Sequence, residues 1–286
     1  MMPNGYPEFL KWIPGNDFVL IYEEDESGGD SVIAQADLIF SLDYNVLYRT
    51  GDMAAKLEES DADFIMIDHH QQPADYPTVT FSDTTSCSTC QMIYEFIEGL
   101  GDVELIDDST AQAIYCGIMT DSGSFRFPSV TDKTHEIAGD LIRRGLDHGA
   151  IHRNVYDTNK LDRLQLLGYA LSNRLEVLTH LKTALIYLTH EELERYNYRS
   201  GDTEGLVNYA LSIEGINFAV FMREAKDMVK MSFRSKGQFD VNQFARTHFN
   251  GGGHMNAAGA AKSAPLEQVI AEFKAAANGY EKQLVY

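Results

Sequence analysis

Two short apolar runs, each ending in acid, constrain this chain more than any other feature. Ala36–Leu42 (ADLIFSL) ends at Asp43, and Asp63–Ile67 (DFIMI) ends at Asp68-His69-His70. Each run has the length of one buried strand and is too short for a buried helix. Helix-like segments near Ser31–Gln35 and Asp52–Glu59 alternate with them, and an earlier apolar run, Phe18–Tyr22 (FVLIY), reads as a further strand. Strands alternating with helices predict a parallel sheet, whose ligands sit beyond the carboxyl ends of the strands. Asp43 and Asp68-His69-His70 both fall at such ends.

Helical patterns follow over Thr89–Gly99, Ser109–Met119, Thr131–Arg144 and Asp147–Tyr156, then over a longer stretch from Leu161 to Arg174. From Glu176 the pattern changes. His180–Leu188 and Phe218–Phe233 alternate like strands, with a turn near Ala225–Asp227, while Val241–Phe249 and Leu266–Asn278 return to helix. The expected fold is α/β: a parallel-sheet domain with flanking helices over residues 1–158, a linker helix over 159–175, and a smaller α+β domain over 176–286. A length of 286 residues suits two domains, and 44% hydrophobic residues exclude disorder as the dominant state. No run approaches the roughly 18 apolar residues of a spanning helix, so no membrane partner is expected. The net charge of −20 argues against a grip on long duplex nucleic acid, while a short oligonucleotide remains accessible if cations offset the repulsion.

Asp68-His69-His70 offers imidazole and carboxylate donors suited to manganese, zinc or iron. As a bare tripeptide it also fits a polar strand-to-loop turn. Asp43 and Asp121 (in GIMTDSGSFRF) each read, alone, as turn or cap residues. Asn250-Gly251-Gly252-Gly253-His254 is the second strong feature. Three glycines let backbone N–H groups approach one anion, and His254 adds a donor. Arg234, at the end of a predicted strand, offers a planar fork for phosphate. Arg126 fits either a substrate phosphate or a surface ion pair, and His135 either the cleft or the scaffold. His148 and His152 read as a solvated helix face. Cys87-Ser88-Thr89-Cys90 has redox spacing, but zinc would need a second pair, so a helix start capped by Ser88, with Gln91 three residues on, is preferred. Three cysteines, an odd number, behind an opening with no leader character predict a reducing cytoplasm.

Together the stretches SLDYNVLYRTGD, FIMIDHHQQP, YCGIMTDSGSFRF and SFRSKG…GGGHMNAAG resemble the DHH–DHHA1 phosphoesterases, in the family's order and over nearly the whole chain. The branch most similar comprises the bifunctional oligoribonuclease and 3'-phosphoadenosine 5'-phosphate (pAp) phosphatases. The resemblance implies a two-metal, usually Mn2+-dependent hydrolase of very short oligoribonucleotides and pAp that forms a homodimer. Asp43 would bridge the metals, and His69 and Asp121 would complete one site. His70 would face the substrate phosphate with Asp68 supporting the histidines. Arg234, Gly251, Gly252, Gly253 and His254 would hold the nucleotide end, with Arg126 as a further phosphate contact. Cyclic di-AMP or pApA hydrolysis is the neighbouring alternative. Pyrophosphatases of the wider group lack the Gly-Gly-Gly-His tail, and a long-strand exonuclease would need a further binding domain.

The sequence departs from the family at one point. A His-x-Asn-Pro-Asp-Gly-Asp type motif normally follows the first strand, and it is not found. Glu23–Ser31 has acids and glycines after Phe18–Tyr22 but no histidine, so Asp25 and Asp30 are expected to be loop residues. Met1–Pro14 resembles family sequence that follows the motif, which implies a late start or a truncation. By family logic one metal keeps only Asp43, the other keeps Asp43, His69 and Asp121, and at most one well-formed site is expected. A nucleotide-binding protein without catalysis is therefore the reading from another class.

Overall fold

The computed structural model describes residues 1–285. Two compact units divide between Thr158 and Asn159. In the first, α1 (Glu26–Ala34) leads into β1 (Leu38–Leu42), then α2 (Ala54–Glu58), β2 (Asp63–Asp68) and β3 (Val79–Ser82). The three strands form one parallel sheet in the order β1-β2-β3, with Leu42 paired to Ile67 at the carboxyl end. Parallel pairing in that register brings the residues after β1 and β2 side by side. α3 (Thr89–Leu100), α4 (Asp108–Asp121), α5 (Asp132–Arg143) and α6 (His148–Tyr156) complete the unit. Their apolar faces meet in one cluster that includes Ile114, Ile118, Met119, Ile137, Leu141 and Ile151.

The expected strand at Phe18–Tyr22 is not formed. One bridge, Met2 to Ile21, is all the pairing the run achieves, and short 3-10 turns occupy Asn16–Phe18 and Tyr22–Glu24. An apolar run becomes a strand only beside a partner edge, and here Phe18 remains 89% exposed. The loop expected at Asp25 and Asp30 is a helix instead. Asp25 is the N-cap of α1, its carboxylate accepting from the Gly28 N–H, and Asp30 lies inside the helix, where it accepts the Tyr22 hydroxyl at 2.6 Å. β3 has no counterpart in the sequence reading: four residues between turn signals carry too little pattern to show a period.

The second unit opens with α7 (Leu161–Asn173), followed by β4 (Leu175–Leu178), β5 (Thr183–Leu188), α8 (His190–Arg195), α9 (Leu206–Ser212), β6 (Phe218–Ala225), β7 (Met228–Ser235), α10 (Val241–Phe249), β8 (Gly252–His254), β9 (Ala257–Lys262), α11 (Leu266–Asn278) and α12 (Glu281–Val285). One mixed sheet runs β4-β5-β6-β7-β9-β8, with β5 and β6 parallel and the other pairs antiparallel. β5 and β6 are buried on both faces. Leu185, Phe218, Val220 and Met222 pack against Phe244 and Phe273 from α10 and α11. Ala184, Ile186, Ala219 and Phe221 pack with Leu166, Ala170, Leu206 and Ala210 from α7 and α9. The unbroken apolar run of β6 follows from this double burial, whereas β7 alternates because one of its faces is exposed. α7, expected as a linker, thus shares a core with this unit.

Candidate functional site

Asp43 leaves the end of β1 in a left-handed conformation, φ 65°, which aspartate tolerates better than most residues. Its N–H donates to the Ile67 carbonyl at 3.2 Å, and its Oδ1 accepts the Thr89 hydroxyl at 2.8 Å. Asp68 ends β2 fully buried. Its carboxylate takes the His70 Nδ1–H at 2.7 Å and the His70 backbone N–H at 3.1 Å. That pairing is how a wholly buried carboxylate is made tolerable, and it fixes the His70 ring. Asn45, also buried, donates to the carbonyls of His70 and Gln71 at 3.3 and 2.8 Å and so holds the turn that carries both histidines.

His69 is the centre of the arrangement. Its Nδ1–H faces the Ser86 carbonyl at 3.1 Å, a bond that fixes the ring and turns Nε2 toward the cluster. Nε2 lies 3.2 Å from Asp121 Oδ2 and 3.5 Å from Asp43 Oδ1. Two carboxylates this close to one imidazole nitrogen favour a proton or a cation among them. Asp121 is the last residue of α4, at the negative end of that helix, where another negative charge also calls for a cation. Asp43, Asp68 and His70 offer ligand atoms that all lie within 4.8 Å of one another, Asp43 Oδ1 being 3.9 Å from His70 Nδ1, and with His69 and Asp121 beside them the mixture of imidazole and carboxylate suits a divalent metal. The sheet register and the end of α4 thus bring together Asp43, Asp68, His69, His70 and Asp121, which the sequence scatters between positions 43 and 121.

Arg126 is exposed, and its Nε–H donates to the Gly123 carbonyl of its own turn at 2.7 Å. Gly123, Ser124 and Phe125 are all left-handed in that turn, which follows Asp121 closely. His152 is more than a solvated face residue: its Nε2 approaches the Ser124 hydroxyl at 3.4 Å and its ring packs beside Tyr115. Exposed His135 stacks on Phe125, ring centroids 5.8 Å apart. The cysteines are free, and Ser88 caps α3 through the Gln91 N–H. Burial, with Asp43 and Asp121 nearby, pushes the Cys90 thiol up to about 12, so it is a protonated thiol rather than a thiolate.

In the second unit the glycine run is a strand edge rather than an open anion loop. The Gly251 N–H donates to the Ala245 carbonyl at 3.0 Å, and the Gly253 N–H to the buried Asn242 Oδ1 at 3.1 Å. Two of the three amides therefore point into the fold. The glycines are needed for close approach instead: a Cβ on Gly251 would lie 2.3 Å from the Gly259 carbonyl oxygen, and one on Gly253 (φ 152°) 2.4 Å from that of Ala257. Gly252 has room, with Arg246 beside it. His254 ends β8, opposite Ala257. Arg234 lies half-buried on β7, between β6 and β9, with Nη1 donating to the Phe233 carbonyl.

Ser86, Thr89 and Asn45 also belong to the site, and no sequence signal marks them. Thr89 meets Asp43 across 46 positions, and no local pattern signals such a contact. Ser88, as a helix cap, was the available hint that this segment is fixed.

A parallel α/β unit with a carboxylate–histidine cluster at its strand ends, followed by a mixed-sheet unit with a Gly-Gly-Gly-His edge, defines a two-domain α/β architecture. The "DHH family, N-terminal domain" model matches residues 3–118 and the "DHHA1 domain" model residues 182–283. The chain belongs to the DHH family and carries a DHHA1 domain. The bifunctional oligoribonuclease and PAP phosphatase NrnA of Bacillus subtilis is 34% identical over 70% of this chain and 63% of its own length. The NrnA of Thermus thermophilus is 32% identical over 71% of this chain and 60% of its own. The chain thus spans about three fifths of the length of these two relatives. The crystal structure of an exopolyphosphatase-related protein from Bacteroides fragilis superposes with a TM-score of 0.94 at 38% identity, covering 100% of this chain and 84% of that one.

Proposed function

We propose that this chain is a metal-dependent phosphoesterase acting on short oligoribonucleotides and on pAp, with Mn2+ as its metal. The observation that carries the reading is the His69 imidazole, its Nδ1 held by the Ser86 carbonyl and its Nε2 facing Asp43 and Asp121. The names of the NrnA relatives support the substrate class. Asp43, His69 and Asp121 would hold the cation. A bound divalent cation lowers the pKa of a coordinated water and neutralises charge on a phosphoryl group. His70, its Nδ1 fixed by Asp68, would orient the substrate phosphate as a hydrogen-bond donor. Arg126 would add a phosphate contact. Arg234, Gly252 and His254 would take the nucleotide end, with Gly251 and Gly253 shaping the strand that presents it.

The test is hydrolysis of a ribodinucleotide and of pAp with added Mn2+, beside pApA and cyclic di-AMP. Turnover of the first two that is lost in His69→Ala is the expected result. Preference for pApA or cyclic di-AMP would reassign the substrate. Binding of pAp without hydrolysis of any of the four would make the protein a nucleotide-binding module, and absence of both would sink the reading.

A homodimer and a cytoplasmic location belong to the same proposal. Leu38, Phe40 and Leu42 on edge strand β1, each 40–47% exposed, supply apolar surface for a partner copy. Sedimentation that stays monomeric at micromolar concentration would remove the dimer from it. Three free cysteines suit a reducing compartment, and no described helix is long and apolar enough to cross a membrane.

A further inference from the structure

The segment from Ser86 to Thr89 touches both ligand-bearing loops of the first unit. At one end the Ser86 carbonyl accepts the His69 Nδ1–H at 3.1 Å. At the other the Thr89 hydroxyl donates to Asp43 Oδ1 at 2.8 Å. Ser86, Cys87, Ser88 and Thr89 are each at most 7% exposed, and their own bonds hold them rigid. Ser86 Oγ donates to the Ser88 carbonyl, Ser88 Oγ accepts the Gln91 N–H, and the Cys87 thiol and the Thr134 hydroxyl both donate to Gln91 Oε1. The redox-like spacing of Cys87 and Cys90 is therefore incidental. The cysteines frame a helix start whose backbone and hydroxyl reach the candidate metal ligands.

Asp43 needs such support more than its neighbours do. Its backbone is left-handed, its side chain is 61% exposed, and an exposed carboxylate turns into solvent unless something holds it. An aspartate in that conformation is strained, and its bonds to Ile67 and Thr89 hold it there. We propose that Ser86–Thr89 is the positioning strap of the metal centre, with Thr89 the positioning residue that orients the Asp43 carboxylate toward the cation and the Ser86 carbonyl fixing the His69 ring. This inference rests on the metal-centre reading above.

Mn2+ affinity of the whole chain, measured by calorimetry near neutral pH, tests it without relying on catalysis. Thr89→Val keeps the side-chain shape and removes the hydroxyl, and Thr89→Ser restores the hydroxyl. Thr89→Val weakens Mn2+ binding about 10- to 100-fold, the range for supporting partners of metal ligands, and Thr89→Ser stays close to the unsubstituted chain. Equal affinity of Thr89→Val and the unsubstituted chain overturns the role of Thr89, as does equal loss in both variants. If Asp121→Asn binds Mn2+ as the unsubstituted chain does, or neither binds it, the metal-centre reading falls and takes this one with it. A second measurement needs no variant. A His69 Nδ1–H that exchanges slowly with solvent in the metal-free chain reports its bond to the Ser86 carbonyl, and a freely exchanging or absent Nδ1–H overturns the strap even if Thr89→Val does not fold.

Discussion

His69 can serve as a ligand because its other nitrogen is already bonded, and the residues that make it so are Ser86 and its neighbours rather than the tripeptide itself. Asn45 does the same for the turn. Asn45→Ala leaves the carbonyls of His70 and Gln71 without their buried donor, and we expect a loss of about 1–2 kcal/mol in a denaturant titration, together with faster amide exchange in residues 69–74. Burial governs the thiols. Cys116, 1% exposed, is pushed up to about 11, and Cys87 is raised from the ordinary value by the same cause. Iodoacetamide near neutral pH therefore leaves both unmodified in the native chain and modifies them once denaturant is added. Fast alkylation without denaturant would contradict the buried placement.

At the scale of elements, α3 and α5 carry supports of the candidate site and are tied to each other by Asp140. This α5 carboxylate accepts from Arg144 Nε at 2.7 Å and from the Tyr94 hydroxyl of α3 at 2.8 Å. The bond from Arg144, foremost, holds its pKa below the ordinary 3.8. A lowered folded value means that the stabilisation is complete above 3.8 and is lost as pH falls through the folded value. Thermal melts of the chain should therefore drop in that acid window. Asp140→Asn should flatten this limb and cost about 1–2 kcal/mol at neutral pH. In the second unit, Gly253→Ala forces a Cβ to within 2.4 Å of the Ala257 carbonyl oxygen and separates β8 from β9. A loss of about 2 kcal/mol or more is expected, read by melting, whereas Gly252→Ala, which meets only ordinary contacts, changes little.

At the scale of the whole molecule, each unit has cores of its own: the α3–α6 cluster in the first, and the clusters on the two faces of the mixed sheet in the second. A fragment from Asn159 onward is expected to fold alone, with a cooperative melt and a dispersed NMR spectrum. A spectrum of an unfolded chain would show that the second unit depends on the first. The charge of −20 over 286 residues repels anions, so the proposed phosphate-directed activity would have to rely on a cation centre.

The sequence by itself determined the elements whose signals are local. Ala36–Leu42 and Asp63–Ile67 showed as strands from length and composition, and Val241–Phe249 and Leu266–Asn278 showed as helices from their period, because burial of one face leaves its repeat in the chain. It also placed acids and histidines at strand ends, since an α/β sheet exposes those ends. The tertiary structure alone decided the rest. Phe18–Tyr22 fails as a strand for want of an adjacent edge, and Val79–Ser82 succeeds because β2 supplies one. The Gly253 amide turns inward because Asn242, eleven positions away on α10, accepts it. Thr89 meets Asp43, and Ser86 meets His69, only after β1, β2 and α3 have packed. Pairing partners and hydrogen-bond acceptors are properties of two distant segments at once, and a one-dimensional pattern carries only one segment at a time.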